Sequence, residues 1–274
     1  MKKNKSVWIM GLVFLAGLLV LLYPVFSNII AQQTSNTEID TYNAAVSSFT
    51  DEQSEEALKE AAEYNKSLAG SAISDPFSSS SSTTDGSEQY NSLLNMSHGI
   101  MAYVEIPSIN VYLPIYHGTD DTVLEKGAGH IYGTSLPVGG KGTHAVIAGH
   151  TGLPGKKLFN NLDKLKKGDT FTIHVLNKTL TYTVDQILVV EPQDVSALQI
   201  VSGQDYVTLV TCTPYGINTH RLLVRGVRTN SNNDTQETEN QPAYTSGFAH
   251  LILSAIGLLA FLFLLYRFQK KYSS

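Results

Sequence analysis

Apolar positions along this chain keep three different rhythms. Residues 35–69 repeat them at helical spacing: Ile39, Tyr42, Val46 and Phe49 fall on one face, and Leu58, Ala61, Ala62 and Leu68 continue the stripe. "TDEQ", Thr50 to Gln53, has the form of a capping box, which predicts two helices rather than one. The following "SDPFSSSSSTTDGSEQYN" holds too few apolar residues to build a core and predicts a loop or linker. From residue 100 the period shortens to two. Runs rich in Val, Ile, Thr and Tyr, separated by Gly, Pro, Asn or Asp, predict strands at 100–106, 109–116, 128–132, 143–149, 170–176, 179–191, 206–212 and 220–228. Only "LFNNLDKL", residues 158–165, is expected to be helical within this region. Short strands at this density imply a mainly β fold, either a closed barrel or a sandwich.

The third rhythm is an unbroken apolar run, and it occurs twice. Residues 7–26 and 247–266 contain no Asp, Glu, Lys or Arg, and each is long enough to cross a bilayer. The first follows "MKKNK" and the second precedes "RFQKKYSS". Because Lys and Arg are retained on the cytoplasmic side, both ends are expected inside and everything between them outside. A signal peptide cleaved after Ala31 is the rival for the first run, which is longer than a typical signal core. The expected plan is a cytoplasmic tail (1–6), an anchor (7–26), a helical region (27–97), a β domain (98–228), a polar tether (229–246), a second span (247–266) and a second cytoplasmic tail (267–274).

Charge fits this plan. Six of the 19 Lys and Arg residues lie in the tails, while all 24 Asp and Glu lie between Glu38 and Glu239. The outer part therefore holds 13 basic against 24 acidic residues, a net of −11. That argues against a nucleic-acid partner and suits a domain held off an anionic lipid surface.

Candidate chemistry centres on the one cysteine, Cys212, in "YVTLVTC". A single cysteine makes no internal disulfide, so it is an inert buried thiol, half of an intermolecular bridge, or a nucleophile. A nucleophilic thiol acts as thiolate and needs a proton partner and a group that holds negative charge. If "YVTLVTC" and "HRLLVRG" pair as antiparallel strands, Arg221 converges with Cys212 at one end of the sheet. His220, its strand neighbour, then points to the opposite face. His150 follows the apolar strand "AVIAG" at a strand end, where reactive groups are commonly exposed. His98, His117, His130, His144 and His174 lack metal-ligand spacing, and neither a metal nor a cofactor is expected.

Here the pattern resembles a known family. "TLVTC" with a following arginine, "GHTG" and "YVEIPSINVYLPIYHG" resemble the cysteine, histidine and opening-strand motifs of sortases. The resemblance covers about residues 98–228 and implies an eight-stranded sortase-type β-barrel, here with N-terminal helices and two transmembrane helices. The helical N-terminal region, "DPF" and the second apolar run are similar to the pilin-polymerising class C members. By that resemblance Cys212 is the nucleophile, His150 the general acid/base, and Arg221 stabilises the oxyanion or holds the substrate. Asp75 and Phe77 form a lid, with the Asp75 carboxylate on Arg221 and the Phe77 ring over Cys212. A solvent-exposed Asp–Arg pair is worth at most about 1 kcal/mol, so the lid is expected to open readily.

The implied reaction cleaves an LPXTG-like sorting signal, forms a thioester on Cys212, and passes the acyl group to a lysine of another pilin subunit. The partners implied are pilin subunits bearing such signals and the cell membrane, with the catalytic domain extracellular. No LPXTG occurs in this chain; "LPVGG" at Leu136 lacks the threonine. Two other readings share the sequence: a sortase that anchors surface proteins to peptidoglycan, and a non-catalytic membrane-tethered binding ectodomain.

Overall fold

The structure is a computed structural model and describes residues 2–68, 73–77 and 88–229. The second apolar run, the tether, the C-terminal tail and the serine run after Phe77 lie outside the described residues.

The first helix, α1, runs without a break from Lys2 to Ser47 and so joins the apolar run to the first amphipathic stretch. It holds the apolar span that is long enough to cross a membrane, and none of that span is buried against protein. Its far end is docked instead. Ile39 and Tyr42 are fully buried. The Tyr42 hydroxyl donates to the Met101 carbonyl at 3.3 Å and accepts the Leu176 N–H at 2.8 Å. Phe49, expected on the buried face, is exposed because it falls in the turn beyond the helix end. The second helix, α2 (Asp51–Ser67), starts at the capping box: Thr50 Oγ1 accepts the Gln53 N–H and Gln53 Oε1 accepts the Thr50 N–H. Leu58, Ala61 and Tyr64 then turn inward. Two short helices follow, α3 (Glu88–Ser92) and α4 (Asp121–Leu124).

Among the described residues, eight strands close a barrel: β1 (Ile100–Ile106), β2 (Val111–His117), β3 (Ala128–His130), β4 (Thr143–Ala148), β5 (Thr170–Val175), β6 (Lys178–Val190), β7 (Asp205–Thr213) and β8 (His220–Arg228). The order around the barrel is β1-β2-β3-β4-β7-β8-β6-β5, with β5 returning to β1. Two pairs, β2–β3 and β4–β7, are parallel; the rest are antiparallel.

Alternation of side chains explains why β4 and β7 are buried along most of their length. Ala145, Ile147, Val207, Leu209, Leu222 and Val224 enter the main core. Their neighbours Val146, Ala148, Val210 and Leu223 enter a second cluster on the opposite face. Ile73 and Phe77 pack against that second cluster.

Two expectations are corrected. Strand β2 begins at Val111, not residue 109, because Pro107–Ile109 forms a 3-10 turn that ends at Asn110 with φ 51°. Residues 158–165 are not an α-helix but turns with a 3-10 segment at Leu162–Lys164. The Asn160 side chain accepts the Gly152 N–H there, and such local side-chain bonding competes with helix formation. Leu158, Phe159, Leu162 and Leu165 stay buried, so the apolar spacing reflects a loop folded into the core.

Tyr42→Phe leaves the buried Leu176 N–H without its acceptor. That is expected to cost roughly 1–3 kcal/mol, read as a lower thermal midpoint for the detergent-solubilised chain. Burial also lowers the pKa values of His130 and His144 to about 4. Both are neutral when folded but bind protons near pH 6.5 once unfolded. Their contribution is complete above about pH 6.5 and is lost as pH falls toward 4, so the midpoint should drop across that window.

Candidate active site

Strand β7 carries Cys212 next to its end, and β8 carries Arg221 next to its start. The two residues are direct partners in the antiparallel register. Their side chains therefore leave the sheet on the same face. Strand β4 lies on the other flank of β7, with Ala148 beside Val210 in parallel register. The Gly149 N–H extends that ladder to the Val210 carbonyl at 3.0 Å. His150 stands two residues past Ala148, and Cys212 two past Val210. Continued two residues past the strand end, that register brings the backbone of His150 beside that of Cys212, and the His150 ring meets Phe77, which packs on the face that carries Val146, Ala148, Val210 and Leu223.

Both peptides around His150 are held. Thr211 Oγ1 donates to the Gly149 carbonyl at 2.7 Å, and the Phe159 N–H donates to the His150 carbonyl at 3.1 Å. A Cβ on Gly149 would lie 2.6 Å from the Phe159 ring, so only glycine lets the strand end pass over it.

Asp75 and Phe77 close this face. Arg221 Nε and one terminal nitrogen donate to the two Asp75 carboxylate oxygens, each at 2.7 Å. The other terminal nitrogen donates to the Asn218 and His220 carbonyls at 3.2 Å. The Phe77 ring centroid lies 5.5 Å from the His150 ring and 5.2 Å from Arg221 Cζ. Since β7 runs between β4 and β8, a ring that touches groups from both flanks spans the strand that carries Cys212. The thiol is 8% exposed.

The expectation of a solvent-exposed, weak ion pair is corrected. Both side chains of the Asp75–Arg221 pair are only 9% exposed, because Phe77 and the second core cluster exclude water from that face. Truncating one member of a buried pair strands the other charge, a cost of about 3–5 kcal/mol while the site stays closed.

The closed arrangement favours neutral forms. Burial raises the pKa of Cys212; the Arg221 guanidinium works against that, and the Asp75 carboxylate adds to it. Burial lowers the pKa of His150, opposed by the Asp121 and Glu125 carboxylates. With ordinary values near 8.5 and 6.5, thiolate and imidazolium coexist in about 1% of molecules near pH 7.5. Shifts in these directions reduce that fraction.

Other expected groups lie elsewhere. His220 points away and meets Glu191 at 3.2 Å. His144 is at the other end of β4, donating from Nδ1 to the Gln199 carbonyl at 2.9 Å and paired through Nε2 with Thr208 Oγ1 at 2.7 Å. Thr211, Asp121 and Glu125 were not singled out from the sequence. Thr211 belongs to "TLVTC", so its role was within reach of the motif; no spacing links the two carboxylates to His150.

Comparison with known proteins follows the same line. Residues 104–229 match the sortase domain. A sortase C of Streptococcus pneumoniae, in a structure described for its catalysis and pilin substrate specificity, is 45% identical with a TM-score of 0.65, covering 73% of this chain and 99% of that one. Sortase C-1 of Actinomyces oris is 48% identical with a TM-score of 0.61, covering 64% and 99%. Sortase A of Streptococcus agalactiae serotype III is 34% identical over 117 residues, 42% of this chain and 47% of that one. Against such curated relatives the match spans about half their length, whereas it spans nearly all of the solved class C domains.

Removing the Asp75 carboxylate is expected to lower the Cys212 pKa and free Arg221. In Asp75→Ala, the inflection of the iodoacetamide rate against pH should move to lower pH. If it moves by about one pH unit, the rate below it should rise roughly three- to fourfold, because a more acidic thiol is also a weaker nucleophile. Identical profiles in variant and parent would remove the carboxylate's electrostatic part.

Proposed function

The chain belongs to the sortase family, whose members are cysteine transpeptidases, and on that premise we propose that it polymerises pilin subunits through a thioester on Cys212. The Cys212 thiolate attacks the carbonyl carbon of the Thr–Gly bond in an LPXTG-like signal. The His150 imidazolium gives its proton to the departing glycine nitrogen, and the C–N bond breaks to leave the thioester. A lysine amine of another subunit then attacks the thioester and gives a proton to His150. The C–S bond breaks, an isopeptide bond forms, and thiolate and imidazolium are restored.

Arg221 holds the developing oxyanion or the signal's backbone. Its contacts to the Asn218 and His220 carbonyls come from its own strand end and the turn before it. Those contacts do not depend on Asp75, so departure of the lid leaves the guanidinium aimed with two donors released. Asp75 and Phe77 act as the lid that keeps the resting site closed, and opening rehydrates both charges together. The apolar part of α1 sits in the membrane and the barrel works outside it. What carries the reading is the alignment of Cys212, His150 and Arg221 at one level on one face of three adjacent strands.

The test is incubation of the full chain in detergent micelles with an LPXTG-type peptide, followed by intact mass. A thioester adduct on Cys212 is expected, absent from Cys212→Ala and formed faster in Asp75→Ala. No adduct in either the parent or Asp75→Ala would sink the proposal. With a whole pilin, replacing the acceptor lysine by arginine should leave the thioester but abolish the polymer.

A further inference from the structure

Where α1 first meets the barrel, a cavity of about 260 Å³ opens between the helix and β2. One wall is α1 from Ser27 to Glu38; the opposite wall includes Tyr112, Leu113 and Tyr116. Lys126, Lys156 and Lys157 also line it. Its lower end is fixed by a close approach: a Cβ on Gly155 would collide with Ser27, so the loop holding Lys156 and Lys157 touches α1 at that turn. Ser27 directly follows the uncharged run 7–26.

These positions set a height. A leaflet's headgroup layer is about 5–8 Å thick beyond the hydrocarbon edge. Five residue steps of helix, from Ser27 to Gln32, rise roughly 8 Å. The lower end of the cavity, with Lys156 and Lys157, therefore lies within the headgroup layer. Two carboxylates also line the cavity, Glu38 and Glu125. Glu38 stands eleven residues above Ser27, roughly 16 Å higher along the helix, and faces His98 at 3.7 Å. Lys156 Nζ is tied to the Glu125 backbone carbonyl, which orients the ammonium without neutralising it. Ile30, Ala31 and Leu158 supply apolar surface beside the lysines.

We propose that this cavity holds the headgroup phosphate of an anionic phospholipid, bound by Lys156 and Lys157 together with Lys126, with its acyl chains running back toward the bilayer beside the apolar run that ends before Ser27. A phosphodiester among three lysines that line one cavity matches their charge, and burial together with Lys164 already presses the Lys157 pKa down. The outer domain's net charge of −11 is repelled overall by an anionic surface, and the three lysines of this cavity are a local attraction against it. This lysine-lined side is thus the face that turns toward lipid, and it gives the barrel one orientation over the bilayer. Lys156 and Lys157 lie in the loop that begins at His150, so the lipid contact braces the histidine's own loop.

The test uses the full chain in nanodiscs of phosphatidylcholine alone or enriched in phosphatidylglycerol. A pulse of an acetylating ester is followed by peptide mass spectrometry. Labelling of Lys156 and Lys157 should slow roughly fivefold in the anionic discs, the factor expected for one lysine at an anionic surface. Exposed Lys66 and Lys178 should not change. In native mass spectrometry, Lys156→Gln/Lys157→Gln should retain less phosphatidylglycerol than the parent. Equal labelling in the two discs overturns the proposal. So does equal slowing at Lys178, which means general approach to the surface. Protection of the detergent-solubilised chain by millimolar inorganic phosphate to the same degree also overturns it, because the site is then one for free anions.

Discussion

Parallel pairing of β4 with β7, beside the antiparallel pairing of β7 with β8, is the constraint from which the site follows. Neighbouring strands hold their residues at matched heights, and the pleat sends every second side chain to one face. Once Ala148 is set beside Val210 and Cys212 beside Arg221, His150, Cys212 and Arg221 share a level and a face. A parallel pair cannot be joined by a tight turn. The chain must leave β4, build β5 and β6 and return as β7, and the barrel has to close for the three groups to meet. The Thr211 bond to the Gly149 carbonyl and the absence of a Cβ at Gly149 keep the last residues of that arrangement in place.

The same face explains the lid. It is apolar beneath and charged at its edge, so a segment that supplies one ring and one carboxylate satisfies both parts. Phe77 extends the second cluster, and Asp75 answers the guanidinium in bidentate geometry. Burial makes the pair intolerant of losing one partner, yet releasing both to water together carries no such penalty. The closed site favours neutral thiol and imidazole; the lid role proposed for Asp75 and Phe77 adds an open state in which the guanidinium edge is free beside the thiol.

Helix α1 has two environments along one continuous rod. Its first half is apolar and uncovered by protein, and its second half is clamped to the barrel through Ile39 and Tyr42. With the apolar half of α1 in a membrane, as proposed, the rod would set the barrel's height above it, and the Gly155–Ser27 contact joins the rod to the loop that starts at His150.

Much of this was written in local pattern. Period-two alternation located the strands to within a few residues and "TDEQ" marked the start of α2, while the likeness of "TLVTC", "GHTG" and "DPF" to sortase motifs singled out Cys212, His150, Arg221, Asp75 and Phe77 as candidates. These are short-range properties, set by the backbone period and by residue types within a few positions. Other features belonged to tertiary structure. Residues 158–165 carry helical spacing but fold as turns because Asn160 bonds Gly152. The Asp75–Arg221 pair is buried because Phe77 and a cluster drawn from β4, β7, β8, α4 and two loop segments surround it. The lysine-lined cavity exists because α1 lies against β2. Desolvation and strand adjacency depend on groups far apart in the chain, and only closure of the barrel decides which of them become neighbours.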